Sequence, residues 1–97
     1  MSAYLFANLA VTDPAGFGKY RDLVAPLIAR FGGRYLVRGG AVAVVEGAPG
    51  LKRVVLVEFP SMEALKAFYF GAEYAPVKAI REAASTGDVA LLEGFAA

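Results

Sequence analysis

The chain has 97 residues, 58% of them hydrophobic, and its 10 basic and 9 acidic residues give a net charge of +1. The length fits one domain, and the hydrophobic fraction exceeds the roughly 45–50% typical of globular chains, which excludes intrinsic disorder. A domain this small has too little interior for so much apolar surface. We therefore expect part of that surface to lie in a subunit interface.

The sequence contains neither cysteine nor histidine. This excludes thiolate nucleophiles, imidazole bases and catalytic triads, and it removes the usual protein ligands of zinc, copper and non-haem iron. We expect no metal site and no cofactor. Any catalysis has to use carboxylates, arginine, lysine, tyrosine, serine, asparagine or backbone groups.

Charges of both signs are interspersed along the chain, and no basic run predicts a nucleic-acid partner. The apolar residues 4–11 follow a segment without basic side chains, are too short to span a bilayer and are interrupted by Asn8. We interpret them as a strand and expect a cytoplasmic protein with no membrane contact.

The first half of the chain begins with a strand followed by a helix. Residues 3–11 form a β-rich run that is apolar on both faces, and residues 12–14 supply an N-cap candidate and a proline at the first helical position. Apolar side chains then recur at helical spacing from Phe17 to Phe31. Within this stretch Pro26 predicts a kink or break, and the glycine pair 32–33 ends the helix.

Two further strands follow. Residues 34–38 alternate with a period of two, the glycine pair 39–40 marks a bulge or bend, and the alternation resumes over residues 41–46. A turn at residues 47–50 leads into the next strand, residues 52–59.

The last third of the chain returns to helix and then to strand. Ser61 is placed to cap a second helix, which Gly71 interrupts before a further helical segment over residues 73–84. A turn at residues 86–88 precedes the last strand, residues 89–95. The order β-α-β-β-α-β over residues 1–97 predicts a single α+β domain with the ferredoxin-like fold: a four-stranded antiparallel sheet with both helices on one face.

Alternation along the strands places polar side chains on the sheet face away from the helices. The residues that we assign to this outer face by their polarity are Asn8, Arg34, Arg38, Glu58 and Glu93. A mostly apolar face with a few convergent polar groups is typical of a ligand pocket.

Arg38 and Glu58 form the sharpest candidate pair, since the pairing of their strands places them roughly opposite each other. In the functional interpretation Arg38 anchors a carboxylate or enolate oxygen, and Glu58 is a catalytic base whose pKa is raised in a dry site. The alternative is a cross-strand ion pair at the sheet rim or in a dimer interface.

Four further residues complete the predicted ligand-binding set. Asn8 interrupts an apolar strand, so it either orients a substrate carbonyl or satisfies a bulge or a partner strand. Arg34 lies near a strand end, where solvation is the common outcome. Tyr69 and Tyr74, on and after the second helix, either line a pocket mouth or belong to the core.

Residues 32–40, Gly-Gly-Arg-Tyr-Leu-Val-Arg-Gly-Gly, together with residues 54–61, the pair 68–69 and the pair 73–74 resemble a bacterial family of small domains of unknown function in the dimeric α/β-barrel superfamily. The resemblance implies a homodimer in which two four-stranded sheets pack face to face, with a cleft in each subunit. Members of that superfamily include cofactor-free monooxygenases, muconolactone-type isomerases and haem-dependent proteins. The haem branch relies on a histidine ligand that this chain lacks.

We therefore expect a cytoplasmic homodimer that binds a small, partly apolar, anionic metabolite in the barrel cleft. A cofactor-independent isomerase or monooxygenase is the reaction type that these expectations allow. The alternative is a non-catalytic ligand-binding or structural dimer whose polar residues are interface pairs.

Overall fold

The computed structural model describes residues 1–95. The elements in chain order are β1 (Ala3–Val11), α1 (Pro14–Arg30), β2 (Arg34–Arg38), β3 (Arg53–Phe59), α2 (Met62–Tyr69), α3 (Tyr74–Ala84) and β4 (Ser85–Glu93). The strands form one antiparallel sheet in the order β2-β3-β1-β4, and the helices cover one of its faces. This confirms the predicted ferredoxin-like α+β fold, with the second helical region divided into α2 and α3.

Several helix ends follow the local sequence. The Ser61 hydroxyl accepts a hydrogen bond of 3.0 Å from the Ala64 amide and so caps α2. Gly32, with φ of 83°, follows the end of α1 in a conformation that other residues rarely adopt.

Of the kink or break predicted at Pro26, the break is wrong, because α1 runs continuously from Pro14 to Arg30 with Pro26 inside it. Val24 and Leu27 on either side of the proline are buried. Their packing maintains the helix although the proline supplies no amide to the hydrogen-bond ladder.

The predicted strand over residues 41–46 and the predicted turn at residues 86–88 are also wrong. Residues 40–52 contain neither helix nor strand, and all but Leu51 are exposed, because the chain turns away from the sheet after the edge strand β2. At the other end, β4 begins at Ser85, and the predicted turn at residues 86–88 is part of the strand. Gly87 pairs with Leu9 there, and an added Cβ would collide with the backbone of β1, so glycine permits this pairing.

The core lies between the sheet and the helices. Alternate residues of β1 are buried in this core, namely Ala3, Leu5, Ala7 and Leu9. Phe68 of α2 is 1% exposed and lies at the centre, with its ring centroid 5.4 Å from that of Phe59 and 4.5 Å from that of Tyr74. Helix α1 packs chiefly against α3.

The other sheet face, which we call the outer face, is not covered by any described helix. Tyr4, Phe6 and Leu56 are half-buried on this face, and Leu92 is 44% exposed. The predicted facing of β4 is wrong: Leu91 pairs with Leu5 on the helix side, and Glu93, which shares that side by alternation, is exposed at the strand end.

A β-bulge in β2 changes the face of its last residues. Arg34 pairs with Glu58, but beyond the bulge, which lies between Tyr35 and Val37, Arg38 pairs with Val55. One extra residue moves every later side chain to the opposite face. Arg38 therefore lies on the helix side of the sheet, and the predicted pairing of Arg38 with Glu58 is wrong.

No helix among the described residues is both long and apolar enough to cross a bilayer.

Candidate functional site

A narrow cleft lies between the sheet and helices α1 and α3. Its floor is formed by apolar residues of the two central strands, which are Leu5, Ala7, Leu9, Val55 and Val57. The cavity volume is about 40 Å³, which holds a few water molecules. A larger ligand therefore requires the exposed side chains at the mouth, Arg21 and Arg38, to move.

Four arginine side chains line this cleft: Arg21 of α1, Arg38 of β2, Arg53 of β3 and Arg81 of α3. No aspartate or glutamate lines it, and within residues 1–95 none of the four forms a salt bridge. Four of the chain's 10 basic residues thus converge on one cavity of a protein whose net charge is only +1. A cleft with charge of one sign and apolar walls attracts ligands of the opposite charge.

Arg53 is the arginine of the four that has a buried donor atom without a partner among residues 1–95. This donor is its Nε, and its guanidinium carbon lies 5.3 Å from the centroid of the Phe17 ring. Gly39 has φ of 69°, and a Cβ at that position would collide with the Arg53 guanidinium. Burial lowers the pKa of Arg53, and the charges of Arg21 and Arg38 lower it further. A buried donor without a partner is costly, so an anion bound here would be favourable.

Arg38 lies beside Arg53 at the mouth. Its guanidinium carbon is 4.4 Å from the centroid of the Tyr35 ring, a cation–π arrangement that holds the charge at the cleft edge. Burial raises the pKa of Tyr35, so its hydroxyl is protonated at neutral pH. Arg21, Arg38, Arg53 and Tyr35 are called the mouth cluster below.

A second polar group lies across the cleft, on α1 and α3. Arg81 donates a hydrogen bond of 3.1 Å from Nη1 to the Tyr74 hydroxyl, which lies 2.9 Å from the Tyr20 hydroxyl. Arg81 is 9% exposed and Tyr74 only 1%. These three residues are called the inner cluster below.

The inner cluster consists of hydrogen-bond donors. Burial raises the pKa of both Tyr74 and Tyr20, so neither hydroxyl ionises near neutral pH. Burial by itself lowers the pKa of Arg81, but Tyr74, Tyr69 and Tyr20 outweigh this and raise it. The two hydroxyls share one hydrogen bond, so whichever of them donates, the other keeps a proton for an acceptor in the cleft.

The structure divides the predicted site residues between the two faces of the sheet. Arg38 and Tyr74 line the cleft. Tyr69 is half-buried next to it, with its ring centroid 5.4 Å from that of Tyr74 and 5.2 Å from Lys78 Nζ. The three others, Asn8, Arg34 and Glu58, do not share this cavity.

Arg34 and Glu58 form an ion pair on the outer face. Arg34 Nε donates to Glu58 Oε1 at 2.7 Å, and the Tyr4 hydroxyl donates to Oε2 at 3.3 Å. The Arg34 hydrogen bond lowers the pKa of Glu58, which is the opposite of the rise that a base in a dry site would show. Because Glu58 and Arg38 lie on opposite faces of the sheet, they are not positioned to act on one ligand.

Both polar atoms of the Asn8 side chain form hydrogen bonds with the backbone of the 40–52 loop. Its Nδ2 donates to the Gly50 carbonyl at 3.2 Å, and its Oδ1 accepts from the Lys52 amide at 2.8 Å. Both ends of the amide are used to attach the end of the 40–52 loop to β1.

Sequence reasoning missed five of the seven tyrosines and arginines that line the cleft, which are Arg21, Arg53, Arg81, Tyr20 and Tyr35. One available signal was helical spacing, since residues seven positions apart, such as Tyr74 and Arg81, lie on the same helix face. The arginines themselves are distant in sequence and show no common motif. Among residues 1–95 no group of three aspartate or glutamate side chains is placed to hold a metal ion.

The comparisons with known proteins agree with this fold. The model of one family, described as Domain of unknown function (DUF1330), matches residues 2–95. No curated protein sequence matches the chain significantly.

Three solved structures are similar over nearly the whole chain. The RPA0582 protein of unknown function from Rhodopseudomonas palustris has 16% identity and a TM-score of 0.78, covering 99% of this chain and 84% of that one. SnoaB, a cofactor-independent oxygenase from Streptomyces nogalater, has 16% identity and a TM-score of 0.64, with 99% and 95% covered. Rv0793 from Mycobacterium tuberculosis has 19% identity and a TM-score of 0.58, with 100% and 98% covered. At such identities the similarity shows the fold alone.

Proposed function

Because the chain belongs to the family described as Domain of unknown function (DUF1330), a description that assigns no reaction, we propose a function from the chemistry of the cleft. The protein binds a small, partly apolar organic anion there. The observation that carries this proposal is the convergence of four arginines on one cavity without a carboxylate among its lining residues. The apolar floor fits the hydrocarbon part of such a ligand.

The mouth cluster is the proposed anchor. Arginine presents a planar fork of donors that suits a carboxylate, and Arg53 already has a buried Nε with no partner among residues 1–95. Arg38 keeps the ligand-binding role expected from the sequence, with Arg53 beside it. Asn8, Arg34 and Glu58 have no part in this proposal.

We also propose that two copies of the chain pack through their outer faces. Tyr4, Phe6, Leu56 and Leu92 make much of this face apolar, and Arg34 and Glu58 on it are paired with each other. Asn8 and Asp88 lie opposite each other towards one end of the face. A face that matches itself in this way suits a two-fold dimer, with the sheets roughly 10 Å apart. Leu56→Asp is expected to give monomers in sedimentation velocity. Leu23→Asp, at an exposed leucine on α1, is the control that should stay dimeric.

Cofactor-independent oxygenation or isomerisation is a second candidate function. The donors of the inner cluster suit the oxygen of an enolate or phenolate, and SnoaB, which has a similar fold, is described as a cofactor-independent oxygenase. No carboxylate lines the cleft and its tyrosines resist ionisation, so the substrate itself would have to lose a proton readily. Oxygen uptake with acidic enols and phenols in metal-free buffer tests this, with a loss of rate expected in Tyr74→Phe.

A thermal-shift screen tests the anion-binding proposal. The wild-type protein, Arg53→Gln and Arg34→Gln are compared against small aliphatic and aromatic carboxylates. A ligand at one hundred times its dissociation constant adds about 2.7 kcal/mol of stability, a shift easily measured for a domain of this size. We expect stabilisation of the wild type and of Arg34→Gln, the outer-face control, and its loss in Arg53→Gln.

Two results would count against the proposal. An equal shift in Arg53→Gln would place binding outside the cleft. No shift in any of the three proteins, over the whole panel, would favour the alternative of a structural dimer.

A further inference from the structure

We infer that the ligand of the cleft is a dianion that carries an acidic group at each end of an apolar body. This inference rests on the proposed function and specifies its ligand class. It follows from where the cleft's positive charges originate: the mouth cluster holds three arginines from α1, β2 and β3, and the inner cluster holds Arg81 of α3. The floor residues of the same cleft are apolar.

The mouth cluster lies on the β2 side of the cleft. Arg38 belongs to β2, the edge strand, and the side chain of Arg53 extends from β3 towards Gly39 at the end of β2. Burial and the charges of Arg21 and Arg38 lower the pKa of Arg53. These repelling guanidinium groups are held together by the fold, so one carboxylate between them would relieve the repulsion.

The inner cluster lies on the other side of β1. Arg81 lines the cleft and also borders a second cavity with Leu9 of β1 and Ser85 of β4. The exposed Glu82 borders that second cavity as well, but it forms no ion pair with Arg81 among the described residues. It is a nearly buried cation whose described hydrogen-bond partner, Tyr74, is neutral. A positive charge in this environment calls for its own anion, in addition to the one at the mouth.

The distance between the clusters sets the length of the ligand. In the sheet order β2-β3-β1-β4, the edge strand β2 lies two strand spacings from β1, which is roughly 10 Å. The side chains of the two clusters extend into the cleft, so their charged groups are closer together than the strands that border it. Side chains of the intervening floor, such as Val57 and Ala7, have no polar atoms, so the middle of the ligand should be apolar.

Calorimetric titration with matched acids tests this inference. The diacids glutarate, adipate and suberate are compared with the monoacids pentanoate, hexanoate and octanoate at constant ionic strength. At least one diacid is expected to bind the wild type about tenfold or more tightly than its monoacid, the effect of one further hydrogen-bonded charge.

Tyr74→Phe and Tyr4→Phe form a matched pair of variants. Tyr74→Phe removes a hydroxyl of the inner cluster and is expected to reduce the diacid preference several-fold while monoacid binding remains. Tyr4→Phe removes a hydroxyl on the outer face and should keep the full preference. Tyr20→Phe provides a second variant of the inner cluster if Tyr74→Phe folds poorly by circular dichroism.

The possible outcomes distinguish this inference from the proposed function. Monoacids that bind as tightly as their diacids would overturn the dianion and leave anion binding intact. A diacid preference that persists in both inner-cluster variants would overturn the assignment of the second acidic group to that cluster. If neither kind of acid binds the wild type, both proposals fail.

Discussion

On the outer face of the sheet, Glu58 accepts hydrogen bonds from Arg34 and Tyr4, whereas on the helix side Arg53 has a buried Nε without a partner among residues 1–95. The Arg34–Glu58 pair of the outer face thus satisfies its own charges, whereas the cleft arginines have no acidic partner among residues 1–95. Polar groups that form hydrogen bonds with each other stabilise or orient a fold. Fixed charges of one sign in a cavity instead favour the binding of a ligand of the opposite charge. This contrast is why we place the ligand in the cleft.

The largest expected effect is the loss of stability when an aromatic side chain is removed, which should be greater in the core than on the outer face. Phe68→Ala removes a ring that is 1% exposed and should lower the free energy of unfolding by about 3–5 kcal/mol. Phe6→Ala, at a half-buried position of the outer face, should cost less stability per chain but weaken the dimer that we propose. Urea denaturation with sedimentation at matched concentrations measures both. Equal losses of stability would contradict the distinction between a core face and an interface face.

The next prediction concerns the glycine that makes room for Arg53. Gly39→Ala forces a side chain into a left-handed backbone conformation and against the Arg53 guanidinium, so we expect a loss of about 1–2 kcal/mol and weaker carboxylate binding. Gly40→Ala is the control, since a Cβ there meets open space. Denaturation curves that are identical for the two variants would contradict the proposed fit between Gly39 and Arg53.

Arginine replacement should have opposite effects on the two faces. Arg53→Met removes a cation that lies beside the like charges of Arg21 and Arg38, so we expect the free energy of unfolding not to fall while ligand binding is lost. Arg34→Met removes an exposed ion pair and should cost at most about 1 kcal/mol while ligand binding is kept. A strongly destabilised Arg53→Met would mean that Arg53 serves the fold rather than a ligand.

The smallest expected effect is a pH dependence of the outer face. The Arg34 hydrogen bond lowers the pKa of Glu58 in the folded protein, so this carboxylate binds fewer protons there than in the unfolded chain. Its stabilising contribution is present above the unfolded pKa of about 4.3 and is lost as the pH falls through the lower folded value. Stability measured from pH 6 to pH 3 should therefore fall more steeply in the wild type than in Glu58→Gln. Parallel curves would contradict this assignment.

Much of the fold was predictable because it depends on local patterns. Alternation of β1 correctly assigned Leu5 and Leu9 to the core, and the capping residue Ser61 marked the start of α2. The family resemblance was correct as well, since the motif residues 32–40 lie within the matched range. These signals act over a few residues, so neighbouring sequence is sufficient to read them.

The candidate site was predictable only in part. Arg38 and Tyr74 were named and do line the cleft, but Glu58 was paired with Arg38 because strict alternation was assumed through β2. The register shift lies between Tyr35 and Val37, ahead of the glycine pair that was expected to cause it. A bulge depends on how an edge strand fits its neighbour, and no residue type marks it reliably.

By itself, the sequence determined the order of strands and helices, the high apolar fraction from which we expected a covered surface, and the absence of thiol and imidazole side chains. Only the tertiary structure decided which charges meet. Arg21, Arg38, Arg53 and Arg81 are far apart along the chain, and they come together because α1, α3 and two adjacent strands border the same cleft. Side-chain periodicity is a local property, whereas the electrostatic potential of a cavity depends on distances between elements that only folding sets.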